Sequence, residues 1–80
     1  MSWNVYVLRS LSSNLYYVGM TENIERRLSE HNSGKSKFTS GHVPWELVYV
    51  EAAESALDAR SREKYLKSAA GKRFLAKHLG

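Results

Sequence analysis

Eighty residues make one domain, spanning residues 1–80, and leave no room for a second core or an appended binding module. The absence of cysteine excludes disulfides, thiolate nucleophiles and thiolate metal sites, and fits a reducing cytoplasm; no signal-peptide pattern or membrane-spanning apolar run is present. Twelve Lys and Arg against eight Asp and Glu give a net charge of +4, which favours polyanionic partners and leaves membrane-embedded roles aside.

Trp3 to Ser10 is rich in aromatic and β-branched residues and reads as a strand. Ser10 to Asn14 is turn-like, and Tyr16 to Met20 reads as a second strand that closes a hairpin. Thr21 or Asn23 can cap a helix in which Ile24, Leu28 and His31 recur at helical spacing and which stops near Asn32-Ser33-Gly34. Ser33 to His42 is rich in Gly, Ser and Lys and is expected to be a mobile loop, closed by Pro44. Trp45 to Glu51 reads as a third strand. Ser55 followed by Asp58 resembles a capping box opening a helix from about Ala56 to Ser68. Gly71 breaks that pattern, and Lys72 to Leu79 forms a last short helix. The expected architecture is α+β in the order ββαβαα, a three-stranded antiparallel sheet flanked by helices.

Several familiar chemistries are missing. Gly34-Lys35-Ser36 follows a helix and lacks the upstream glycine of a phosphate-binding loop. His31, His42 and His78 have no zinc-ligand spacing. What remains is a set of polar groups beside apolar seams. If the hairpin pairs with an odd residue sum, such as 10 opposite 13, Tyr6 and Tyr17 share one face; a one-residue slip puts Tyr16 there instead. Taken alone, a tyrosine in such a strand is more commonly a plain sheet aromatic. Gly19 inside the second strand marks a close approach by a ligand or another backbone. Arg27 and His31, four residues apart, stand on one helix face beside the Ile24–Leu28 stripe. An arginine there needs an anionic partner, either a phosphate or a carboxylate such as Glu63. Glu63 is a mid-helix carboxylate, and one carboxylate with waters and a substrate phosphate suffices for Mg²⁺.

Together these residues resemble the GIY-YIG endonuclease superfamily. Asn4-Val5-Tyr6 looks like its first motif, with Asn-Val in place of Gly-Ile, and Tyr17-Val18-Gly19 like its second. Gly19 to Asn32 is similar to the glycine–threonine–helix segment with its arginine and histidine, and Asp58 to Lys67 to the helix that carries the metal glutamate. The resemblance covers essentially the whole chain and is nearest to the small single-domain members. It is also similar to the cleavage domain of the bacterial excision-repair nuclease, which implies a DNA-repair setting.

The resemblance implies a metal-dependent endonuclease that hydrolyses nucleic acid, DNA foremost, to 5′-phosphate and 3′-hydroxyl ends with weak sequence specificity. Its catalytic set would be Tyr6, Tyr17, Arg27, His31 and Glu63, with Glu63 holding one Mg²⁺ or Mn²⁺. Either tyrosine could be the base, Tyr6 being favoured with help from His31. Gly19, Lys35, Lys37, Lys67, Lys72 and Arg73 would contact nucleic-acid backbone. Many family nucleases carry a late asparagine at the scissile phosphate, and none follows Asn32 here; Lys67, Lys72 or a backbone group would take its place. Targeting would come from a partner protein or a homodimer. The competing reading is a nucleic-acid-binding module of the same fold with little cleavage.

Overall fold

A computed structural model describes residues 2–79. Trp3–Ser10 (β1) and Tyr16–Thr21 (β2) pair antiparallel, Ile24–Asn32 (α1) follows, and Trp45–Ala53 (β3) returns along the other side of β1. Helices Ala56–Lys67 (α2) and Ala69–Leu79 (α3) complete the chain. The strand order β2-β1-β3 puts β1 at the centre of one sheet, and the expected ββαβαα α+β fold is the one adopted. Among the described residues, no helix is long and apolar enough to cross a membrane.

The turn between β1 and β2 uses Asn14 at a left-handed φ of 61°, a conformation asparagine tolerates better than most residues. Buried Ser10 is its hub: the Ser10 hydroxyl donates to the His42 carbonyl at 2.6 Å and accepts from the Ser13 N–H at 3.0 Å.

Alternation along β1 divides the core. Val5 and Val7, with Val18 of β2, pack against Ala59 and Leu66 of α2 and Leu75 of α3. Tyr6 and Leu8 point the other way, toward Tyr17, Trp45 and the Ile24–Leu28 stripe of α1. Burying each leucine contributes roughly 1.5–3 kcal/mol, so Leu66 and Leu75 are the main apolar anchors of the helix pair. A β-bulge separates the pairs Val7–Tyr49 and Leu8–Leu47, leaving Val48 without an opposite residue. Val48 and Tyr49 consequently both pack on the helix-pair side, and Trp45 reaches the α1 side.

Three boundaries differ from the sequence expectation. The second strand extends to Thr21 and the third to Ala53, because both keep pairing with β1. The last helix begins at Ala69 and contains Gly71 instead of starting after it. Ser68 makes this possible, since its hydroxyl accepts from the Gly71 N–H at 3.2 Å and starts the new helix where α2 stops. A Cβ on Gly71 would run into the Tyr65 carbonyl oxygen and Leu66, so glycine there lets α3 fold back against the end of α2. The segment read as a loop carries a 3-10 turn over Thr39–His42, with Thr39 fully buried. Asn32 anchors its far end, accepting from the Trp45 N–H at 2.6 Å and donating to the Trp45 carbonyl at 3.1 Å.

Candidate active site

The β1–β2 register pairs Tyr6 with Gly19 and Leu8 with Tyr17, an odd sum, so Tyr6 and Tyr17 share the α1 face. Their ring centroids are 6.3 Å apart. The close approach that Gly19 permits is that of these rings: a Cβ there would lie 2.5 Å from the Tyr6 hydroxyl oxygen and 3.1 Å from Tyr17 Cε2. Any side chain at 19 displaces the Tyr6 hydroxyl.

Asn23 fixes α1 as its N-cap, accepting from the Arg26 N–H at 3.0 Å, and α1 in turn fixes Arg27 and His31 one turn apart. His31 is fully buried. Its Nε2 lies 3.0 Å from the Tyr6 hydroxyl and its Nδ1 lies 2.8 Å from Thr39 Oγ1. The proton positions follow from the partners. Thr39 gives its hydroxyl proton to the Ser36 carbonyl, so it accepts from His31 Nδ1, and a neutral ring leaves Nε2 to accept from the Tyr6 O–H. Nδ1 then carries the imidazole proton and donates to Thr39, whose own hydroxyl has the Ser36 carbonyl at 3.5 Å as acceptor. Burial pushes the Tyr6 phenol up to about 12, with Tyr17 and Glu63 adding to the shift and Arg27 opposing it. Burial, then the Arg27 charge, holds His31 below the ordinary histidine range.

Arg27 finds its carboxylate within its own helix, donating to Glu30 at 2.9 Å rather than to Glu63. Its side chain keeps about a third of its surface exposed, so the guanidinium is open to an incoming anion. Glu63 faces inward from α2 with its side chain 16% exposed, held by Lys67 at 3.2 Å and Arg60 at 3.6 Å. It lies near enough to Tyr6 for its charge to oppose ionisation of the phenol. The structure thus brings Tyr6, Tyr17, Arg27 and His31 together directly and Glu63 to their margin.

Among the described residues, no group of three or more carboxylates and histidines is arranged to hold a metal. A hydrated Mg²⁺ or Mn²⁺ still fits, because such ions keep most of their water and take one or two hard oxygens from protein. Glu63 would supply that oxygen, with Arg60 and Lys67 yielding to the ion.

Lys35 and Lys37 are exposed in the segment after α1, and Arg73 is exposed on α3. Lys67 and Lys72 line a groove of about 870 Å³ along β2, with Tyr16, Tyr17 and Phe38. Sequence reasoning missed Thr39, Glu30 and Phe38. Glu30 was legible as an i,i+3 neighbour of Arg27, whereas Thr39 and Phe38 sit in a segment without periodicity.

A family model described as the GIY-YIG catalytic domain matches residues 2–76. The chain belongs to the GIY-YIG family, as one of its small members. It is 44% identical to a UPF0213 protein of Clostridium perfringens over 79% of this chain and 68% of that one. It is 45% identical to a UPF0213 protein of Natronomonas pharaonis over 80% of this chain and 75% of that one. The solution NMR structure of a UPF0213 protein from Bacillus halodurans aligns with a TM-score of 0.58 at 34% identity, covering all of this chain and 87% of the other.

Proposed function

We propose that this protein is a divalent-metal-dependent endonuclease that hydrolyses nucleic-acid phosphodiester bonds, DNA foremost, leaving 5′-phosphate and 3′-hydroxyl ends. One observation carries the reading: the Tyr6 hydroxyl is hydrogen-bonded to a buried, neutral His31 beside Arg27 and within reach of the Glu63 charge. Hydrolysis needs a proton removed from water and charge stabilised on phosphoryl oxygens. With its pKa near 12, Tyr6 is not an ionised base at neutral pH. It accepts a proton from water as its own moves to His31 Nε2, and the resulting imidazolium keeps its Nδ1–H bond to Thr39.

Arg27 turns its free edge to the non-bridging oxygens, where its planar fork suits phosphate. Tyr17, edge-on to His31 at 4.8 Å, orients the water or phosphate. An ion on Glu63 would neutralise charge on the leaving 3′ oxygen. Lys67 or Lys72 stands in for the late asparagine of related nucleases.

The test compares wild type with Glu63→Ala on nicked, branched and single-stranded DNA and on RNA, with Mg²⁺ or Mn²⁺. Glu63→Ala is expected to abolish cleavage and leave metal-free binding nearly intact. A wild type that binds these substrates and cuts none of them is a binding module instead.

A further inference from the structure

Tyr16 and Phe38 are large aromatics left 47% and 55% exposed on the same groove, and Leu15 beside them is 45% exposed. Successive residues Tyr16 to Val18 all line the groove although strand side chains alternate, so it runs along the free edge of β2. Its cationic wall is Lys67 and Lys72, and among the described residues no carboxylate side chain lines it. One ring separates it from the tyrosine–histidine site: Tyr17 meets His31 at 4.8 Å on one side and Phe38 at 6.0 Å on the other. Lys67 ties the groove to Glu63 at 3.2 Å.

We infer that this groove is a stacking subsite for an unpaired nucleobase next to the scissile phosphate, so the substrate is nucleic acid with single-stranded character. The inference rests on the hydrolysis reading above. Base faces within a continuous duplex are covered by their neighbours, and only an unstacked base can offer its face to Tyr16 and Phe38. Lys72, which has no carboxylate partner among the described residues, complements a phosphate beside that base, and Lys67 carries its Glu63 pair to the same wall. The aromatic surface explains a sequence-tolerant preference for strand ends, flaps and gaps, since every base has a face to stack.

Single-stranded oligonucleotides carrying the fluorescent base 2-aminopurine at successive positions, titrated with metal-free wild-type protein, test this directly. Quenching is expected at one or two adjacent positions. Phe38→Ala should abolish it and weaken single-strand binding about tenfold, while changing affinity for blunt duplex by less than about twofold. Phe38→Trp should restore both quenching and affinity, which a folding defect would not allow. No quenching at any position, or equal losses on single strand and duplex, overturns the subsite. Quenching by a wild type that cuts nothing supports the subsite and sinks hydrolysis alone; cleavage with unchanged strand preference in Phe38→Ala sinks the subsite alone.

Discussion

Two clusters in this molecule are built from almost the same side chains. On the α1 side, Tyr6 meets His31 beside Arg27, which holds Glu30; on the helix-pair side, Tyr49 meets His78 and Glu51, which holds Arg62. Their wiring differs. Tyr49 donates to Glu51 at 3.2 Å, and the same carboxylate oxygen already accepts from Arg62 at 2.7 Å. Its proton has no further acceptor, and His78 stacks on Phe74 at 5.1 Å. Tyr6 instead faces a buried imidazole whose second nitrogen is held by Thr39. One cluster is a closed ion pair with an aromatic cover, and the other is a buried hydrogen-bonded chain, which the proposed hydrolysis would use to move a proton. Residue types alone do not distinguish them; connectivity and burial do.

The largest contrast should come from removing each hydroxyl. Tyr6→Phe is expected to lower single-turnover cleavage by roughly 10²- to 10⁴-fold, the usual contribution of a positioned proton acceptor. Tyr49→Phe should leave the rate within about twofold, because its phenol leads nowhere. Equal losses in the two variants would erase the distinction.

Thr39→Val keeps the shape but removes the acceptor for the His31 Nδ1 proton. A rate loss of about tenfold is expected, with stability lower by about 1–3 kcal/mol in urea unfolding, because a buried donor is left unsatisfied. A stability loss without a rate loss would make Thr39 a packing residue only.

Acidification sharpens the comparison further. Burial and Arg27 disfavour charged His31 in the folded state, so the unfolded chain, near the ordinary 6.5, binds that proton more tightly. This contribution to stability is present above pH 6.5 and is lost as pH falls from there toward the depressed folded value. Cleavage should likewise keep its base until below pH 6.5. An acid limb centred above 6.5 in the rate profile would remove His31 from the proton path.

The smallest effect is expected from Glu51→Gln, whose partner Arg62 is about a third exposed. Such partly solvated ion pairs contribute about 0–1 kcal/mol, readable as a small shift in the urea midpoint with cleavage unaffected.

Much of this was legible in the sequence. Helical spacing placed Arg27 and His31 together, and strand parity placed Tyr6 with Tyr17 once an odd register was assumed. Two things were hidden for physical reasons. Thr39 and Phe38 act from a segment with no repeat, where position depends on distant anchors such as Asn32 on Trp45. The apolar run Leu47-Val48-Tyr49-Val50 has no alternation to betray a bulge. Gly71 read as a stop because propensity speaks of an isolated helix, whereas here it answers to the close packing of two helices.

That bulge works as a frame shift in the reading of the sheet. On one side of Val48 the even residues of β3, 50 and 52, share the Tyr6 face; on the other the odd residues, 45 and 47, do. A regular ladder in which Val48 paired with Leu8 would put the strand in a single frame and swing Trp45 to the opposite layer. The indole N–H that donates to the Thr39 carbonyl at 2.9 Å would go with it. One residue of strand length, on the far side of the sheet from Tyr17, thus sets whether Thr39 stands where His31 needs it.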